Sequence, residues 1–74
     1  MTIKFKNTLL QNIADGLNKY QSRKIIDLEV QFFVDKELVM TRDVPTALNY
    51  LVNDIYWDED NDWSDANHAK MRIL

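Results

Sequence analysis

Residues 26–43 read IDLEVQFFVDKELVMTRD, and the alternation within them decides the fold. Ile26, Leu28, Val30, Phe32 and Val34 take every second position, with Asp27, Glu29, Gln31 and Phe33 between them. Period two is the side-chain repeat of a strand with one face in a core and the other in water, so 26–34 is read as a strand. The polar break Asp35-Lys36-Glu37 separates it from a second β-rich run over 38–43, and two such runs form a hairpin most economically. The break has no glycine, which leaves the turn type open.

Outward from the hairpin, the flanks read as helices and further strands. Pro45 cannot lie inside a central strand, and Pro45-Thr46 ahead of a helical pattern is a start signal, with Thr46 capping or Pro45 in the first turn. The apolar stripe of this helix is Leu48, Leu51, Val52 and Ile55, and the pattern ends near 57–58. Upstream, Leu10, Ile13, Ala14, Leu17 and Tyr20 recur at helical spacing. Thr8 and Gln11 are spaced as a capping box and Arg23 and Lys24 suit the negative end, so a helix is expected over roughly 8–22. Gly16 within it costs about 1 kcal/mol relative to alanine and marks either a tolerated weakness or a point of close approach. Ile3 and Phe5 alternate with polar neighbours as a short first strand, and Ala69, Met71 and Ile73 alternate with Lys70 and Arg72 as a closing one. The resulting order, β-α-β-β-α-β, is that of an α+β ferredoxin-like two-layer sandwich. Without the short first strand it becomes α-β-β-α-β, still α+β.

Composition bounds what such a chain can do. Its 74 residues make one domain, 1–74, near the size at which a chain buries only about 60% of its unfolded surface. With 46% hydrophobic and 28% charged residues, one Gly and one Pro, it is an ordinary globular sequence. It contains no cysteine, which excludes disulfides and thiolate metal sites. The Met-Thr-Ile-Lys-Phe-Lys-Asn start is not that of a signal peptide, and no apolar run reaches membrane-spanning length, so a soluble, cytoplasmic protein is expected, with no membrane partner. A pI near 4.9 disfavours direct binding to nucleic acid, which needs Lys and Arg against phosphates.

Charge distribution says more than net charge. Between Arg42 and Lys70 there is no Lys or Arg but seven carboxylates, six of them crowded into 54–65 around Trp57 and Trp63. On a helix over 46–58, Tyr50 and Trp57 lie opposite the apolar stripe, beside Asn53 and Asp54. Exposed aromatics among charges are the material of interface hot spots. The candidate partner-binding residues are therefore Tyr50, Asn53, Asp54, Trp57, Asp58, Glu59, Asp60, Asp62, Trp63 and Asp65. Acids at a helix C-terminus each cost on the order of 0.3–1 kcal/mol, a local conflict of the kind found where function overrides stability. The plainer alternatives are a Trp57 that folds under to cap the core and an acidic run that only solvates a loop.

Other chemistries fit less well. Asp58, Asp60 and Asp62 match the opening of a calcium loop, but Trp63 stands where the loop needs Gly and Ala69 where it needs Glu, so a calcium-binding loop at 58–62 is a minor alternative and the favoured expectation holds no metal. His68 is the sole histidine and cannot build a zinc site or a catalytic relay alone. No catalytic residue or cofactor is expected, and an enzyme is not, since 74 residues scarcely enclose a deep pocket. The strands lack the aromatic motifs of an RNA-recognition motif. In size, acidity and want of catalytic groups the chain resembles the small acidic proteins with which phages and mobile elements disable host nucleic-acid-binding machinery. That resemblance implies an inhibitor or DNA mimic, of anti-restriction or anti-CRISPR type, that meets the basic surface of a host protein. A different expectation is a homo-oligomeric structural or regulatory module with a solvating acidic loop, a homodimer in which Phe33, on the polar side of its strand, seeds a sheet-to-sheet face with Val39 or Leu74.

Overall fold

In the computed structural model, which describes residues 5–58 and 61–74, the 26–43 stretch forms an antiparallel hairpin of β1 (Leu28–Val34) and β2 (Glu37–Asp43). Leu28, Val30 and Phe32 are buried while Glu29, Gln31 and Phe33 are half-exposed, as period two requires. Ile25–Asp27 form a short 3-10 turn ahead of β1, so the strand starts two residues later than the alternation suggests. The turn is of a defined type despite lacking glycine. Asp35 and Lys36 have φ of 49° and 74° and Val34 pairs with Glu37, which is the type I′ geometry that follows strand twist. Left-handed backbone costs an ordinary residue about 1–2 kcal/mol, and Asn67 helps to hold it. The Asn67 Nδ2 donates to Asp35 Oδ1 at 2.8 Å, its Oδ1 accepts from the Asp35 N–H at 3.3 Å, and its own N–H donates to the Phe33 carbonyl at 2.9 Å.

β5 (His68–Ile73) pairs antiparallel with the other edge of β1, giving a three-stranded sheet of order β2-β1-β5. The strand with the longest apolar alternation is thus the central one. With α1 (Lys6–Lys19) and α2 (Val44–Val52) the protein is a small α+β fold. A ferredoxin-like order is not confirmed: there the first strand would part the closing strand from the hairpin, whereas β5 bonds directly to β1. Residues 1–4 of the expected first strand lie outside the described residues, and Phe5 is the residue preceding α1. The described order is α-β-β-α-β with an additional two-stranded hairpin, β3 (Trp57–Asp58) and β4 (Asn61–Asp62), before β5.

Both helices depart from their expected bounds. α1 begins at Lys6 without a side-chain cap, so Thr8 and Gln11 lie inside it and Gln11 bonds Asp15 at 2.9 Å instead. It buries Leu9 and Ile13, while Ala14 is exposed. Gly16 is a close-approach point: a Cβ there would stand 2.7 Å from the Met71 Cβ of β5. Asn12 Oδ1 accepts from the Ala69 N–H at 2.9 Å, which occupies a donor on the free edge of β5. In α2 the cap is Asp43, which accepts from the Thr46 N–H at 3.3 Å, with Pro45 in the first turn. Starting there, the helix buries Val44, Ala47 and Leu51, a face rotated from the expected one, and leaves Val52 65% exposed.

α2 stops at Val52 in a Schellman arrangement. Asp54 is left-handed at φ 55°, its N–H points to the Leu51 carbonyl at 3.4 Å and the Ile55 N–H donates to the Tyr50 carbonyl at 2.7 Å. A helix continuing to residue 58 is therefore corrected, and with it the seven-residue spacing that set Tyr50 and Trp57 on one helical face. No described helix is long and apolar enough to cross a membrane.

Candidate functional site

The β3–β4 hairpin is built around one buried indole. Trp63 is 0% exposed, and its ring lies 4.6 Å from Phe32 of the sheet, 4.8 Å from Tyr56 and 6.1 Å from Tyr50 of α2. Burying an aromatic of this size dominates a small core. The Trp63 N–H donates to the Tyr56 carbonyl at 3.1 Å, and Trp57 pairs with Asp62 and Asp58 with Asn61. Side chains alternate along this short ladder: Tyr56 is buried, Trp57 is 63% exposed and Asp58 is half-buried. The hairpin is thus pinned from beneath by Tyr56 and Trp63 and shows Trp57 to solvent.

Most of the described carboxylates here have partners of their own. Asp58 forms an ion pair with Arg42 of β2, whose Nη1 also donates to the Thr41 carbonyl at 2.6 Å. Partial burial opposes the charge of that guanidinium, but Asp58 and the Tyr50 hydroxyl outweigh it and raise the Arg42 pKa above its ordinary value. Asp54 meets Lys6 of α1 at 2.9 Å, a hydrogen bond that raises the lysine pKa. This partly answers the misplaced charge at the end of α2. Asp62 Oδ1 accepts from the Ser64 N–H at 3.0 Å and its hydroxyl at 2.7 Å, which lowers the Asp62 pKa. With Lys6 and Arg42 counted against them, the six acids of 54–65 leave a formal excess of four negative charges.

The candidate residues separate into a surface set and a supporting set. Trp63 belongs to the core and is corrected from a contact residue to a support, while Tyr50 is half-buried with its ring against Trp63. Trp57, Asn53, Asp54, Asp62 and Asp65 are exposed. Asn53 donates to Asn49 Oδ1 at 2.6 Å. Glu59 and Asp60 lie outside the described residues. Val52 and Ile55, expected in the core, are 65% and 36% exposed and add apolar surface near Trp57 in the chain. Aspartate ahead of Val44-Pro45 was the available signal, since an Asp43 cap places the buried face at 44, 47, 48 and 51.

Trp57 is thus exposed opposite Asp62 on the ladder. Among the described residues no three His, Asp or Glu side chains are grouped to hold a metal, and the Asp58 and Asp62 oxygens are directed at Arg42 and Ser64. The Tyr56 hydroxyl and Trp63 Nε1 are buried without a hydrogen-bond partner among the described residues, and burial raises the Tyr56 pKa. His68 stands elsewhere, with its ring 6.2 Å from that of Phe33. Searches of protein-family models, curated proteins and solved structures found no match to this chain.

Proposed function

We propose that the chain is a non-enzymatic binding protein whose β3–β4 hairpin presents Trp57, with the exposed Val52 and Ile55 close to it in the chain and an acidic segment over 54–65, to a basic surface on a partner protein. One observation carries the reading: of the two indoles of this hairpin, Trp63, next after β4, is fully buried and Trp57, in β3, is 63% exposed. An exposed indole on a hairpin fixed by a core indole loses little rotamer freedom on binding and brings a large area to desolvate. The excess of acids steers encounter with a cationic surface, and the indole slows release.

A partner that binds nucleic acid has the matching chemistry, because its phosphate sites are basic and a spaced set of carboxylates competes for them. On this reading the protein inhibits by occupying such sites, as anti-restriction and anti-CRISPR proteins of phages and mobile elements do. The test is affinity capture from a host lysate with the wild-type chain and with Trp57→Ser, at about 0.05 M and about 0.5 M salt, across which charge screening changes severalfold. A basic protein held by the wild type at low salt, released at high salt and not held by the variant is the expected result. Equal retention by both chains would refute the reading.

A further inference from the structure

A hollow of about 590 Å³ lies away from the acidic hairpin, lined by Phe33, Asp35, Lys36, Asn67, His68 and Lys70. It opens on the wet face of the sheet, since Phe32 turns inward and its neighbour Phe33 points the other way. Its walls are braced by the three hydrogen bonds of Asn67 to Asp35 and Phe33. Phe33 and His68, cross-strand partners, form its ring-lined floor, and the Lys70 ammonium stands 5.6 Å from the Phe33 centroid. Its lining carries two lysines, Lys36 and Lys70, and one carboxylate, Asp35, which already accepts from Asn67. In a chain of net charge −3, this is a local cationic, aromatic-floored site, and it suits an aromatic group flanked by anions.

The chain carries such a group itself. Trp57 stands exposed, with the exposed Asp62 as its cross-strand partner and the exposed Asp65 following in the chain. Within one copy the two surfaces cannot meet, because the hairpin is anchored through Trp63 on Phe32, on the opposite side of the sheet from Phe33. We infer that the hollow receives the Trp57 hairpin of a second copy, head to tail, with Lys36 and Lys70 against the carboxylates. This rests on the hairpin being a docking surface and names a partner for it. Such a contact is heterologous and propagates into open chains or rings, and it withdraws the hairpin from any other basic partner.

Sedimentation equilibrium of three samples tests it: wild type, a hairpin-disabled Trp57→Ser chain and a hollow-disabled Lys36→Glu/Lys70→Glu chain, all at exposed positions and checked for folding by circular dichroism. The wild type should rise above its 8.8 kDa monomer mass with concentration at low salt and return toward it at high salt. Each variant alone should stay monomeric, and their mixture should stop at a dimer, since one intact interface remains. A wild type that is monomeric at millimolar concentration, variants that associate as the wild type does, or a mixture that stays monomeric would overturn the inference. The hollow-disabled chain keeps its hairpin. If it still captures a basic partner while the wild type never self-associates, only this inference fails; if Trp57→Ser captures that partner equally, the docking role of the hairpin fails.

Discussion

Replacing Trp63 with alanine should come close to unfolding the protein, whereas the same change at Trp57 should hardly be felt. At 0% exposure, Trp63 stands on the Phe32 ring at 4.6 Å and the Tyr56 ring at 4.8 Å. It therefore joins the sheet, α2 and the β3–β4 hairpin in one contact set. Truncating a buried tryptophan to alanine costs about 3–5 kcal/mol. A chain of 74 residues has a total of about 4–11 kcal/mol to lose. Trp57→Ala, at a surface position, should stay within about 0.5 kcal/mol of wild type. Trp63→Phe keeps a ring on Phe32 and removes the Nε1–H that lacks a partner among the described residues. An unpartnered buried donor costs about 1–3 kcal/mol, so the smaller ring should be offset in part and the net loss held below about 1.5 kcal/mol. Urea unfolding followed by far-UV circular dichroism measures all three without depending on indole fluorescence. A Trp63→Ala loss under about 1 kcal/mol, below the range for a buried aromatic, or a Trp57→Ala loss as large as that of Trp63→Ala, would refute the division of labour between the indoles.

Three further outcomes are expected. Gly16→Ala should destabilise by about 1–3 kcal/mol despite the gain in helix propensity, because overpacking of this kind forces backbone shifts; the new Cβ meets the Met71 Cβ at 2.7 Å, and an unchanged urea midpoint would contradict that close approach. Lys36→Gly should stabilise by about 1 kcal/mol by relieving left-handed backbone at φ 74°, and a loss of stability would count against the type I′ turn. Asp43 and Asp62 are held below the ordinary aspartate pKa, Asp43 chiefly by the Thr46 side chain and Asp62 by the Ser64 N–H. A depressed carboxylate stabilises the fold above its unfolded value, about 3.9, and that share is lost as pH falls through the folded value. Asp43→Asn and Asp62→Asn should therefore each flatten the fall in stability below about pH 4, and slopes equal to wild type in urea titrations would exclude the effect.

The hairpin over 26–43 was readable because a single buried face imposes strict alternation on β1, from Leu28 through Phe32. Its turn was not, since Lys36 adopts left-handed backbone at the position where glycine would have signalled it. α2 was recognised from Pro45 but entered too late. Once Asp43 is the cap, the buried stripe moves to Val44, Ala47 and Leu51, and Val52 and Ile55 turn outward. The β3–β4 ladder left no pattern because strands of two residues are too short to show a period. The acidic character of 54–65 was plain from composition, but pairing of Asp58 with Arg42 and of Asp54 with Lys6 depends on tertiary contacts across 16 and 48 positions. Which of the two indoles faces water was equally a tertiary matter.

Trp63→Phe leaves Trp57 as the single indole, and its emission reports directly on whether that side chain docks. Adding the basic partner captured at low salt should shift the emission to the blue and protect it from acrylamide, with both changes reversed as salt is raised. A partner that binds with Trp57 emission and quenching unchanged would contradict a docking role for this indole.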